Sequence, residues 1–154
     1  MTQETSFKSA TGETVALKSL HLSGCLEGLL LSMKVQQRYR NDTGKNLETV
    51  YTFPLAWGAT LLGLNVEIAG KRLQATVIEK KKATKKYEKA IDDGDTPVMV
   101  EQSASGLYTA NLGNLKDKEE VIIEIEYAQL LRFEQGQVRL CIPTVIAPRF
   151  GESH

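Results

Sequence analysis

Two cysteines, two histidines and one tryptophan in 154 residues exclude several classes at once. Cys25 and Cys141 are too few for a disulfide scaffold or a zinc centre, and small, buried or half-buried free thiols are favoured over a bridge. His154 is the last residue, so a histidine-based triad would have to use His21, which sits between Leu20 and Leu22 in an apolar strand pattern. A packed or half-exposed structural histidine fits that pattern better than a general base, which needs partners within hydrogen-bond reach. Nineteen basic and nineteen acidic side chains cancel, so no global field recommends nucleic acid or an anionic membrane. No glycine-rich phosphate loop or dinucleotide fingerprint occurs, and no cofactor is expected. No apolar run is long enough to span a bilayer, and the first residues, Met1 to Phe7, have neither the basic start nor the apolar core of a signal peptide. The compartment stays open, a secreted or cell-surface parent protein included.

The chain does have alternation. Leu29, Leu31, Met33, Val35 and Tyr39 share one face of a long strand pattern, with Ser32, Lys34, Gln36, Arg38 and Arg40 on the other. After turn chemistry at Asn41-Asp42-Thr43-Gly44, the pattern restarts at Leu47, Thr49, Tyr51 and Phe53 and stops at Pro54. Leu62, Leu64, Val66 and Ile68 predict a further strand, folded back at Ala69-Gly70 onto Leu73, Ala75 and Val77. Val121, Ile123, Ile125 and Tyr127 alternate with glutamates. Val138, Leu140 and Ile142 follow a turn at Glu134-Gln135-Gly136. Many one-sided strands with short turns predict a mainly β domain, an antiparallel β-sandwich or barrel.

One segment has a different period. Ala83, Tyr87, Ala90 and Ile91 form a helical stripe, so one α-helix is expected over about 79–91, with a capping box at Thr76 and Glu79 and a stop at Gly94. Its Lys81, Lys82, Lys85, Lys86 and Lys89 are a candidate docking patch for an acidic surface. The competing and favoured reading is a solvated helix face. Asp92-Asp93-Gly94-Asp95 lacks the ligand spacing of a calcium loop and reads as a turn. Trp57 is a candidate core plug or interface anchor, favoured over a sugar-binding platform.

Several words occur in a fixed order: Tyr51-Thr52-Phe53-Pro54-Leu55, Glu79-Lys80 through Tyr87-Glu88, Val100-Glu101-Gln102, Tyr108-Thr109, Gly113-Asn114-Leu115, and Pro143 through Pro148-Arg149-Phe150. Together they resemble the VIT domain, the module shared by vault proteins and inter-alpha-trypsin inhibitor heavy chains. The turns at Gly70-Lys71-Arg72 and Lys116-Asp117-Lys118 depart from the family pattern without touching these words. The resemblance implies a non-catalytic interaction module over residues 14–150, in front of a von Willebrand type A domain whose Asp-x-Ser-x-Ser metal motif does not occur here. Residues 1–13 are then a flexible start and 151–154 the beginning of a linker. Pro143, Pro148, Arg149 and Phe150 read as an exit strap toward that domain or as an ordinary sheet-edge terminus, with no preference between them. The expected partner is the downstream domain or another protein. A carbohydrate or small-ligand binding sandwich is the alternative, and a hydrolase lacks its constellation.

Overall fold

A computed structural model describes residues 6–56, 58–79, 98–102 and 107–142. Among the described residues the chain forms eleven strands and no helix. They are β1 (Ser6–Ser9), β2 (Ala16–Glu27), β3 (Leu30–Arg40), β4 (Leu47–Pro54), β5 (Ala59–Ile68), β6 (Lys71–Glu79), β7 (Met99–Gln102), β8 (Leu107–Leu115), β9 (Glu120–Leu130), β10 (Phe133–Glu134) and β11 (Gln137–Val138).

Nine strands form one sheet in the order β1-β4-β8-β7-β6-β5-β9-β3-β2, with β10 and β11 as a separate hairpin. The sheet turns its corner at β6. Lys71 to Ala75 pair antiparallel with β5, while Thr76 to Glu79 pair with β7 in parallel. This is the one parallel pairing among the described strands, where the alternation predicted antiparallel neighbours throughout. The two halves face each other, because Phe7 of β1 meets Tyr39 of β3 edge-on at 4.8 Å and Tyr39 meets Tyr51 of β4 at 6.2 Å. The far ends of the sheet are joined by a bridge between Lys8 and Thr14, with the Val15 N–H donating to Phe7 O at 3.0 Å. Beyond it, β2 is an edge strand.

The inward faces follow the alternation closely. Leu31, Met33 and Tyr39 of β3, Leu47, Tyr51 and Phe53 of β4, and Val121, Ile123, Ile125 and Tyr127 of β9 are all buried. Burying each large apolar side chain contributes roughly 1.5–3 kcal/mol relative to leaving it in water. The Ala69-Gly70 turn has both residues at positive φ, 51° and 73°, the geometry of a tight two-residue hairpin.

Bulges shift the expected parity. Leu62 is 62% exposed, because the β5–β9 register slips between Leu61 and Gly63 and Leu61 takes the inward place. Gly113-Asn114-Leu115 is the end of β8, where the register slips against Thr49 and Val50 and Gly113 adopts φ 73°. The bulge lets both Leu112 and Leu115 face inward. Thr76 and Glu79 belong to strand β6, so the expected capping box is not a helix start. The rest of the expected helix, residues 80–91, and the Asp92-to-Asp95 turn lie outside the described residues. Cys25 and Cys141 are free but exposed, not buried as their type suggested.

Candidate functional site

The strands end at two poles of contrasting chemistry. At the first, the β3–β4 turn meets the β8–β9 turn around Asn41, which is fully buried. Its Nδ2 donates toward Lys45 O at 2.7 Å and toward Leu115 O and Lys116 O at 3.1 Å. Its Oδ1 accepts from the Thr43 N–H and hydroxyl at 3.1 and 2.7 Å. The backbone adds Asn41 N to Glu119 O and Lys118 N to Asn41 O, and Asp117 Oδ1 accepts from Gly44 N at 2.9 Å. One amide thus satisfies the polar groups of both turns, as burial requires. Outside it, Asp42 pairs with Lys18 at 2.7 Å, Arg40 at 3.1 Å and Lys118 at 3.5 Å. The Lys18 hydrogen bond, backed by these charges, holds the Asp42 carboxyl below its ordinary range against a smaller opposing desolvation.

Between the poles, the outer face of the sheet carries an ionic ladder from β3 and β9 to Arg72 of β6. Lys34 lies 2.9 Å from Glu126 and 3.5 Å from Glu124, which also meets Arg72 at 3.2 Å. The hydrogen bond to Glu126, followed by the charge of Glu124, raises the Lys34 ammonium above its ordinary range. The Lys34–Glu126 pair is exposed on both sides and contributes little stability. Beside it lies a shallow depression of about 310 Å³, open to solvent and lined by Ser23, Cys25, Ser32, Lys34, Leu62 and Glu126. An open depression buries too little of a small ligand to hold it firmly. Among the described residues no group of three or more histidine, cysteine or acidic side chains is placed to hold a metal ion. His21 is exposed on β2, so the packed alternative for it falls away.

Inside the sandwich a polar trio interrupts the core. Gln37, 2% exposed, accepts hydrogen bonds on Oε1 from Tyr39 at 3.0 Å and Tyr51 at 2.6 Å. Burial pushes both phenols above their ordinary range, with the neighbouring Tyr39 adding to the effect at Tyr51. Phe53 stacks on Tyr51 at 5.2 Å and on Tyr108 at 5.3 Å, continuing the aromatic line across the core.

The second pole is apolar. The β2–β3 hairpin brings Leu26 and Leu30 there, Leu30 is the cross-strand partner of Leu130, and Phe133 pairs with Val138 in the β10–β11 hairpin. These side chains and Leu140 are exposed, Leu130 by 71% and Phe133 by 64%. Leu131 is the inward anchor of this segment, its N–H donating to Leu29 O at 2.7 Å. Ile142 packs against the core, and Tyr127 has its hydroxyl raised first by burial and then by nearby Cys141. The alternation predicted Val138, Leu140 and Ile142 as one buried strand face. Only Ile142 reaches the core, because β11 is two residues long and pairs with β10 alone.

The sequence-predicted positions Lys81, Lys82, Lys85, Lys86, Lys89, Trp57, Pro143, Pro148, Arg149 and Phe150 lie outside the described residues. Gln37 and Asn41 were missed as buried polar centres. The inward parity of Gln37 between Val35 and Tyr39 was the available signal for the first.

A bent β-sandwich with a tied polar pole and an open apolar pole defines a β-rich domain module. The family model for the vault protein inter-alpha-trypsin domain matches residues 17–127, and the chain belongs to that family. It is 28% identical over 141 residues to the mouse (Mus musculus) protein mono-ADP-ribosyltransferase PARP4, covering 92% of this chain and 7% of that protein. It is also 28% identical over 141 residues to human (Homo sapiens) von Willebrand factor A domain-containing protein 5A, covering 90% of this chain and 18% of the relative. A von Willebrand factor A domain-containing protein of Dictyostelium discoideum is 31% identical over 116 residues, covering 75% of this chain and 13% of its own length. The chain therefore spans less than a fifth of each of these relatives.

Proposed function

We propose that this domain is a non-catalytic interaction and packing module of a longer protein, acting beside a von Willebrand type A domain that follows it. The observation carrying this reading is the family match over residues 17–127, together with relatives named for that second domain. One relative is named as a transferase, and this chain covers only 7% of it, which leaves room for its chemistry elsewhere in that protein. The open surface depressions and the two closed-over turns of the polar pole fit a scaffold better than a reaction vessel. Within the module, Lys81, Lys82, Lys85, Lys86 and Lys89 are proposed as a docking patch, Trp57 as an anchor, and Pro143 to Phe150 as the strap toward the next domain. The test is to express the polypeptide that the gene encodes after His154 and titrate it with this chain by calorimetry. Saturable binding is the expected result; a downstream catalytic domain that this chain does not bind would sink the reading.

A further inference from the structure

We propose that the apolar pole is the surface on which the domain following in the same polypeptide docks. This rests on the reading of the chain as an accessory module. The centre of the surface is Leu30 and Leu130, cross-strand partners on the outer face, followed closely along the chain by Phe133 with its partner Val138 and by Leu140, all exposed; Leu26 lies at the same end on the other face, opposite Leu31. Apolar side chains gathered at one end in this way mark an association surface, whereas scattered ones do not.

Three observations choose the occupant. First, the chain reaches Ile142 at this pole, held there against the core, so whatever follows residue 142 starts beside the patch. A domain carried on the same polypeptide meets the surface at raised effective concentration, so a modest apolar patch suffices to hold it. Second, the exposed rim is balanced, Glu27 and Glu134 against Arg132 and Arg139. A polar rim of both signs around an apolar centre is the anatomy of a protein interface. An anionic bilayer would be met instead by a basic surplus. Third, the relatives extend far beyond the length matched here, since this chain covers 18% of human von Willebrand factor A domain-containing protein 5A. Among the described residues the opposite pole gathers no comparable exposed apolar side chains, and its buried amide and turn hydrogen bonds are satisfied within the chain.

The experiment titrates the 154-residue chain with the separately expressed polypeptide encoded after His154, alongside a double variant Leu130→Glu with Phe133→Glu. A charge-reversal variant at Lys81, Lys82, Lys85 and Lys86 serves as comparison, and circular dichroism melts check folding. Should the glutamate variant fail to fold, Leu130→Ser with Phe133→Ser replaces it. Cys25 and Cys141 flank the patch and are exposed, so their rates of thiol modification report where the partner sits. The expected result is binding weakened at least about tenfold by the pole variant, as for loss of central interface anchors, with both thiols slowed in the wild-type complex. Binding that the pole variant leaves unchanged overturns the pole and leaves the accessory-module reading standing. No binding by folded wild-type chain, or no domain encoded downstream, removes that reading and the pole with it. Self-association of this chain, or sedimentation with phosphatidylserine vesicles, abolished by the pole variant without a loss of domain binding, assigns the surface to another occupant and overturns the proposal.

Discussion

At one pole of this sandwich the strand ends are tied by a buried amide, and at the other they are covered only by short hairpins that leave leucines in water. Asn41 fixes two turns through directional bonds, so the backbone carbonyls and amides of that pole are satisfied within the chain. The leucine pole is held through Leu131 and Ile142, whose packing is non-directional, and it leaves apolar area unspent. The difference teaches that closing a sandwich and finishing its surface are separable tasks.

The largest effect expected from breaking this contrast is at Asn41. Asn41→Ala strips partners from the Lys45, Leu115 and Lys116 carbonyls and should cost roughly 3 kcal/mol. For a domain of this size that lowers the melting midpoint by roughly 6–12 °C, readable by calorimetry. A midpoint unchanged by this variant would mean that the polar pole is not held by its amide.

Between the poles, Tyr51→Phe should cost about 1 kcal/mol, the net worth of one hydrogen bond to Gln37. It should also change the alkaline limb. The folded Tyr39 and Tyr51 hydroxyls stay protonated at pH values where the unfolded chain ionises near its ordinary value of about 10. The folded state then holds more protons, so stability falls as pH rises above about 10. Removing one phenol should make that fall shallower, which urea melts between neutral and alkaline pH would show.

At the leucine pole the expectation is reversed. Leu130→Glu with Phe133→Glu should leave stability within about 0.5 kcal/mol of wild type, because the side chains are already in water. A strong destabilisation would show that the two poles are alike in carrying the fold. Smallest of all is Asp42→Asn. Its carboxyl is held below the ordinary range, so the pairing is present at neutral pH and fades as pH falls through that lowered value. The expected loss is slight and vanishes in high salt, measured as midpoint against ionic strength.

Much of this was legible in the sequence, for identifiable reasons. Leu47, Thr49, Tyr51 and Phe53 read correctly as one inward face because β4 is regular at those positions. Val121 through Tyr127 did so too, since β9 is central and its parity unbroken. Parity failed where a bulge inserts a residue, at Leu62, because no local pattern announces the slip. The corner of the sheet was hidden because β6 changes partners midway, a matter of long-range pairing. Asn41 read only as a turn residue: its role comes from acceptors at Leu115 and Lys116, far along the chain. The leucine pole was invisible for a related cause, since Val138 and Leu140 look like core until β11 proves too short to carry them inward.

The position of β9 has a consequence for how the molecule is made. It lies between β3 and β5, and its first contacts with β3 join residues as distant as Leu30 and Leu130. During synthesis the β2–β3 and β5–β6 hairpins emerge well before β9 does, each with one flank waiting to be paired. A topology so dependent on distant partners folds slowly, on the order of milliseconds to seconds. In that interval a nascent chain lacking residues 120–130 displays two open apolar ladders, and these are where it is most exposed to aggregation and most in need of a chaperone.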